Sequence, residues 1–266
     1  MPISGVVVGV VAVGIPILIV LVIRKIAFPQ KLALSDAPWR PNTVNPAHVV
    51  ALLGLWCTVQ VAAHNVLRTW FPGKSYPLKA LTGLTGELFL ILAVLPLAAW
   101  CFRGGLFRGF GLSMRHWIYD TLRGAVGFLA VMPVCMLLLL LGKAVIPERW
   151  QAEHDMLQAI HAMEGGWRFL VVLLAVLVAP LAEEMFFRGL LQSMLRRYLR
   201  KAWPAVLAAS VIFAMMHYQY PQTIPSLLAL GIALGYNYER CGRLYPSILM
   251  HVLFNGTSIV DVMLSA

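Results

Sequence analysis

Charge is scarce in this chain, and acidic charge is scarcest. Only 12% of its 266 residues are Asp, Glu, Lys or Arg, and 11 of these are acids. Soluble globular domains carry about 25% charged residues, so a soluble fold is excluded. Paired metal-binding cysteines are missing too. Cys57, Cys101, Cys135 and Cys241 form no CxxC, and three of them fall in or at the end of apolar runs. They read as buried structural thiols, and a disulfide framework or zinc knuckle is excluded. The chain has no HExxH, internal repeat, low-complexity tract or domain-length linker. One continuous domain follows.

The formal net charge of +10 does not point to nucleic acid. That reading needs basic residues clustered on a soluble surface among aromatics. Here they occupy short loops between apolar runs, as in proteins oriented by a membrane.

What is abundant is apolar sequence: 60% of the residues are hydrophobic, with a mean hydropathy of +0.80. Crossing the hydrocarbon takes about 20 mostly apolar residues per helix. Eight runs qualify as spans or near-spans: Ile3–Ile23, Pro46–Val66, Leu84–Phe102, Trp117–Leu141, Trp167–Tyr198, Trp203–Tyr218, Ile224–Tyr238 and Leu244–Leu264. The expected class is all-α, a polytopic transmembrane bundle of about eight helices. No basic n-region precedes the first run and no A-x-A-like site follows it, so it is expected to stay as a span. The fifth run is too long for an upright crossing, and Pro180 is expected to kink it. Between the fourth and fifth runs, Gln151–Met163 reads as a short amphipathic helix on the membrane surface.

Loop charge gives the orientation. One side holds Arg24, Lys25, Lys31, Arg40, Arg103, Arg108, Arg115, Arg123, Arg196, Arg197, Arg200, Lys201, Arg240 and Arg243. The other holds Arg68, Lys74, Lys79, Lys143, Arg149 and Arg168. The richer side is expected to be cytoplasmic and both termini to face outward, in the plasma membrane of a prokaryote.

An ionisable side chain inside a span costs about 2.5–3.5 kcal/mol on insertion scales, which makes each one a candidate for function. Glu183 and Glu184 sit between Ala175–Ala182 and Met185–Phe187, all apolar. Arg188 follows Glu184 by one helical turn and suits an ion pair with it. Glu183 lies about 100° around the helix, free to face something else. An unpaired, partly desolvated carboxylate has the character of a general base. The competing reading makes both acids the interfacial end of a span, which the apolar Gly189-Leu-Leu191 beyond Arg188 weakens.

His217 closes Phe213-Ala-Met-Met-His217, and His251-Val-Leu-Phe-Asn255 puts an imidazole and an amide on one helix face. Taken singly, each reads equally well as packing or helix-to-helix polar contact. Depth joins them. Counted from Arg196, Lys201 and Arg243 at 1.5 Å per residue, Glu183, His217, His251 and Asn255 fall roughly 12–24 Å deep. Elsewhere, Glu87 is expected to be solvated near the outer end of its span, and His48 and His64 to be packing residues. His154 and His161 read as part of a solvated outer loop with Glu153, Asp155 and Glu164, and Asp261 as a cap or anchor.

Glu183-Glu184-x-x-x-Arg188, Phe213-x-x-x-His217 and His251-x-x-x-Asn255 together resemble the three signature motifs of the CPBP family. These are type II CAAX prenyl proteases and Abi-like bacteriocin-processing or self-immunity proteins. The resemblance covers about residues 167–260, with no departure at a signature position. It divides the chain into N-terminal helices over 1–160 and a CPBP-like core over 161–266. It implies an intramembrane endopeptidase acting on a membrane-associated or lipidated, CAAX-like protein or peptide. In that reading Glu183 and His217 activate a water, His251 and Asn255 stabilise the oxyanion, and Glu184 and Arg188 support them. The family has also been read as metalloproteases, in which Glu183, His217 and His251 would hold zinc; the metal-free reading is preferred here. The implied partners are membrane lipids and that substrate, with no nucleic acid. Two rivals stand beside this: a non-catalytic immunity or scaffold protein whose polar cluster is structural, and a proton-coupled transporter, for which the two-halved symmetry is missing.

Overall fold

A computed structural model describes residues 3–27, 34, 36–73, 75–152, 158, 160 and 163–264. It is a helical bundle with no strand among the described residues, only an isolated bridge between Asn42 and Phe102. The long helices are α1 (Gly5–Ala27), α2 (Pro46–Trp70), α3 (Ser75–Cys101) and α4 (Trp117–Val145), then α5 (Gly165–Leu199), α6 (Ala202–Met215), α7 (Ile224–Cys241) and α8 (Tyr245–Leu264). Six of them, α1 to α5 and α8, are long and apolar enough to cross a membrane; α6 is apolar but shorter. The expected surface helix over Gln151–Met163 falls largely outside the described residues, as do His154, His161, Glu153 and Asp155.

Local sequence explains where the helices begin and end. Asn45 caps α2: its side chain accepts from His48 N at 3.0 Å, and His48 Nδ1 accepts from Asn45 N at 3.4 Å. Pro46 follows at the first position, where no N–H is needed. His48 is therefore a capping residue, while His64 is exposed. Gly242 stops α7 in the left-handed conformation, φ 68°. Side chains such as Val50, Leu92, Trp100, Leu137 and Leu207 are exposed around the bundle, which fits hydrocarbon and not water.

Helix α5 carries the largest irregularity. It runs unbroken past Pro180, but widens into π-turns at Leu174–Val178 and Met185–Gln192. The first lets Ala179 N donate to Leu174 O, five residues back. Pro180 has no N–H to offer Ala175 O, so that carbonyl loses its donor within the helix. A residue on another helix must supply one.

Polar contacts gather the loops into two layers at opposite ends of the bundle. At one end Arg40 Nη2 donates to Glu239 Oε1 at 2.9 Å and Arg197 Nη1 to Val44 O at 3.1 Å. There too Leu244 N donates to Phe110 O at 3.0 Å, and Arg243 grips Asp120 through Nε at 2.7 Å and Nη2 at 2.6 Å. At the other end Gln222 Nε2 donates to Ala152 O at 2.6 Å and Gln151 Nε2 to Lys143 O at 2.8 Å. Asp261 Oδ1 accepts from Ser4 N at 2.7 Å, which anchors the start of α1 to the end of α8.

Between the layers, small residues let backbones approach, as membrane helices require. A Cβ at Gly124 of α4 would stand 2.8 Å from Pro246 O and 3.2 Å from Leu249 on α8. Gly124→Val should therefore push α4 off α8 and cost about 1–3 kcal/mol by overpacking. A lowered unfolding midpoint of the purified protein in detergent is the check; an unchanged midpoint would mean that the two helices separate freely.

Candidate active site

Each signature segment reaches the centre of the bundle from a different helix. Helix α5 brings Glu183, Glu184 and Arg188, the end of α6 brings His217, and α8 brings His251 and Asn255. Glu183, His217, His251 and Asn255 all line one cavity of about 690 Å³, with Glu87 from α3 and Phe213 from α6.

Glu184 is turned away from that cavity and fully buried. Its Oε1 accepts from Arg188 Nη1 at 2.7 Å, one turn along α5. Arg188 is itself 1% exposed, and its Nη2 donates to Gly231 O on α7 at 3.3 Å. Its guanidinium lies 4.6 Å from the centre of the Phe213 ring. Each charge thus has a partner where water cannot reach, which an ion pair in this setting needs. Glu183, next in sequence, is only half-buried and faces the cavity.

His251 touches both acids. Its Nδ1 lies 3.0 Å from Glu184 Oε1 and its Nε2 3.7 Å from Glu183 Oε2. An ionised carboxylate only accepts, so the Nδ1 proton belongs to the bond with Glu184. Nε2 then donates only when the ring carries both protons. The arrangement aims Nε2 at the cavity, a donor there in the doubly protonated ring, and locks the ring plane from behind.

His217 stands where α6 ends, with Nδ1 3.1 Å from Phe213 O. A carbonyl also only accepts, so this contact selects the Nδ1–H tautomer and leaves Nε2 the basic nitrogen of the neutral ring. Phe213 packs edge-on against both imidazoles, with centroids 5.4 Å from His217 and 5.8 Å from His251. One buried aromatic thus spaces the two histidines.

Asn255 answers the demand created in α5: its Nδ2 donates to Ala175 O at 2.9 Å. The carbonyl orphaned by the π-turn and Pro180 is satisfied from α8. One amide N–H remains for the cavity.

Zinc fits this arrangement poorly. Among the described residues no three His, Cys, Asp or Glu side chains are gathered closely enough to hold a metal ion. The chemistry derived below therefore runs through the chain's own groups.

Glu87 departs from the sequence-based expectation. It is half-buried and lines the cavity, and its Oε2 is buried without a hydrogen-bond partner among the described residues. The reason is the length of α3, which starts at Ser75 and not near Leu84. Glu87 therefore lies three turns inside the helix, not in its first. Ser75-Tyr-Pro77 is the missed signal, because proline is favoured in a first helical turn.

Comparison with known proteins bears on the same segment. Residues 165–257 match the family model described as Type II CAAX prenyl endopeptidase Rce1-like. That match supports the CPBP resemblance and covers all the signature positions. The chain is also similar to an uncharacterized 24.3 kDa protein of Escherichia coli, 33% identical over 86 residues, which make up 31% of this chain and 40% of that protein. The chain thus spans well under half the length of this curated relative. No solved structure matches.

The burial of Glu184 makes Arg188 indispensable to the fold. Arg188→Leu leaves a carboxylate unpaired away from water and should cost about 3–5 kcal/mol. The double variant Glu184→Gln/Arg188→Leu should recover part of that loss, because no lone charge is left behind. Unfolding midpoints in detergent test this; a double variant no more stable than Arg188→Leu would contradict it.

Proposed function

We propose that this protein is an intramembrane endopeptidase of the CAAX prenyl endopeptidase type that works through a glutamate-activated water. One observation carries the reading. Glu183, His217, His251 and Asn255 converge from three helices on a single cavity, while Glu184, the neighbouring acid, is closed off by Arg188. Helix packing alone gives no reason for four unlike polar groups to share one space.

The roles follow from the proton positions. Glu183 and His217 Nε2 hold a water between them as acceptors. As the water oxygen attacks the peptide carbonyl carbon, Glu183 takes its proton, and the carbonyl π electrons move to the oxygen. With the His251 ring doubly protonated between the two glutamates, the oxyanion receives hydrogen bonds from its Nε2–H and from the second N–H of Asn255. Donors held in advance in a low-dielectric site are worth far more than in water. The tetrahedral intermediate then collapses, the C–N bond breaks, and the proton on Glu183 passes to the leaving amine. Glu184 and Arg188 do not react; they fix His251 and the pitch of α5. The substrate in this reading is a membrane-associated or lipidated protein or peptide, since the site lies among helices that face lipid.

Purified protein incubated with a fluorogenic peptide library gives the test. Glu183→Gln and His217→Ala should each lower cleavage by at least about 10²-fold, the scale of general-base catalysis, while the unfolding midpoint stays near that of the parent. A chelator should leave the parent active. Variants that cleave at the parent's rate would remove the glutamate mechanism, and loss on chelation that zinc restores would replace it with a metal-dependent one.

A further inference from the structure

Among the described residues, the cavity's lining reaches one end of the bundle. Its rim is built from the ends of elements: Ile3 at the start of α1, Lys143 near the end of α4, Ala152 beyond it, Thr223 before α7 and Asp261 near the end of α8. Lys143 and Ala152 are exposed there. Gln222 and Gln151 knit this rim together through Ala152 O and Lys143 O. None of the cavity's lining residues belongs to the layer at the opposite end. Below His251, Tyr238, Leu244, Ser247 and Met250 are fully buried, and the Glu184–Arg188 pair lies across the same level. The site is a pocket closed by a packed floor.

The two ends differ in charge. Arg40, Arg103, Arg197, Arg240 and Arg243 lie in the layer beneath the floor, gathered by the contacts of Arg40 with Glu239, Arg197 with Val44 and Leu244 with Phe110. These contacts place the layer without any count of spans. Arg24 and Lys25 belong with it, because they end α1 while Ser4 at its start is tied to Asp261 on the rim. Short basic loops are retained on the cytoplasmic side.

We propose that the cavity opens on the face of the membrane opposite the cytoplasm, and, resting on the endopeptidase reading, that the substrate is a polypeptide segment presented from that outer side. A chain confined to the cytoplasm meets the sealed basic floor. A segment leading out of the membrane, or arriving from the outer compartment, meets the rim and descends to Glu183. The site thus selects by compartment before it selects by sequence.

Two cysteine variants separate the faces, read against the parent, whose own cysteines set the background. Ala152→Cys lies on the rim and Lys201→Cys among the basic loops, both at exposed positions. In intact spheroplasts of an expressing bacterium, a membrane-impermeant maleimide should modify Ala152→Cys fully and Lys201→Cys only after permeabilisation. The same spheroplasts should cleave an impermeant fluorogenic peptide supplied from outside, and Glu183→Gln should abolish that cleavage. Modification of Ala152→Cys that requires permeabilisation overturns the proposal. So does a protein that cleaves the peptide in detergent but not from the outer face of spheroplasts. Absence of cleavage in detergent as well would count against the endopeptidase reading alone, and the labelling pattern would still decide the side of the mouth.

Discussion

The structure depends on one buried ion pair, Glu184 with Arg188. Neither side chain reaches water, and an isolated charge in such surroundings costs several kcal/mol. The pair persists because three other helices contact it, although Glu184 Oε2 is buried without a hydrogen-bond partner among the described residues. Gly231 of α7 receives one guanidinium N–H, Phe213 of α6 covers the guanidinium face, and His251 of α8 donates to the carboxylate. Satisfying one ion pair therefore draws four helices to one point. The remaining groups of the site are positioned by the same convergence.

A second constraint runs in parallel. Where water is excluded, each backbone carbonyl needs a donor from the protein. The π-turn at Leu174–Val178 and the missing N–H of Pro180 leave Ala175 O wanting, and Asn255 supplies it. The same amide keeps a second N–H directed to the cavity. Fold and chemistry thus draw on the same side chains, and the structural reading of the polar cluster and the catalytic one are not exclusive at Asn255 or His251. Glu183 and His217 are different: among the described residues Glu183 makes only the 3.7 Å approach to His251, and His217 is oriented through Phe213 O at the end of α6.

Much of this was legible in the chain. Apolar runs marked the helices because hydrocarbon demands about 20 such residues per crossing, and the observed helix ends lie within about one turn of those runs except at the start of α3. The separate fates of Glu183 and Glu184 followed from their angular offset and the one-turn spacing to Arg188. Glu87 escaped because Thr82, Gly83, Thr85 and Gly86 dilute the apolar signal over the first turns of α3. The capping role of His48 escaped too, since a histidine at the third helical position is an uncommon partner in a capping box.

Taken by itself, the sequence determined the solvent of this protein, its long apolar helices and the one-turn pairing of Glu184 with Arg188. Those properties depend on composition and on a periodicity of 3.6 residues, both of which are local. Only the tertiary structure decided that His251 stands between the two glutamates, that Glu87 joins Glu183 in one cavity, and that the lining of this cavity lies away from the basic loops. Contacts between helices depend on crossing angle, depth and rotation. Those are set by how small residues such as Gly124 and Gly231 let backbones meet, and by which buried polar groups must find one another.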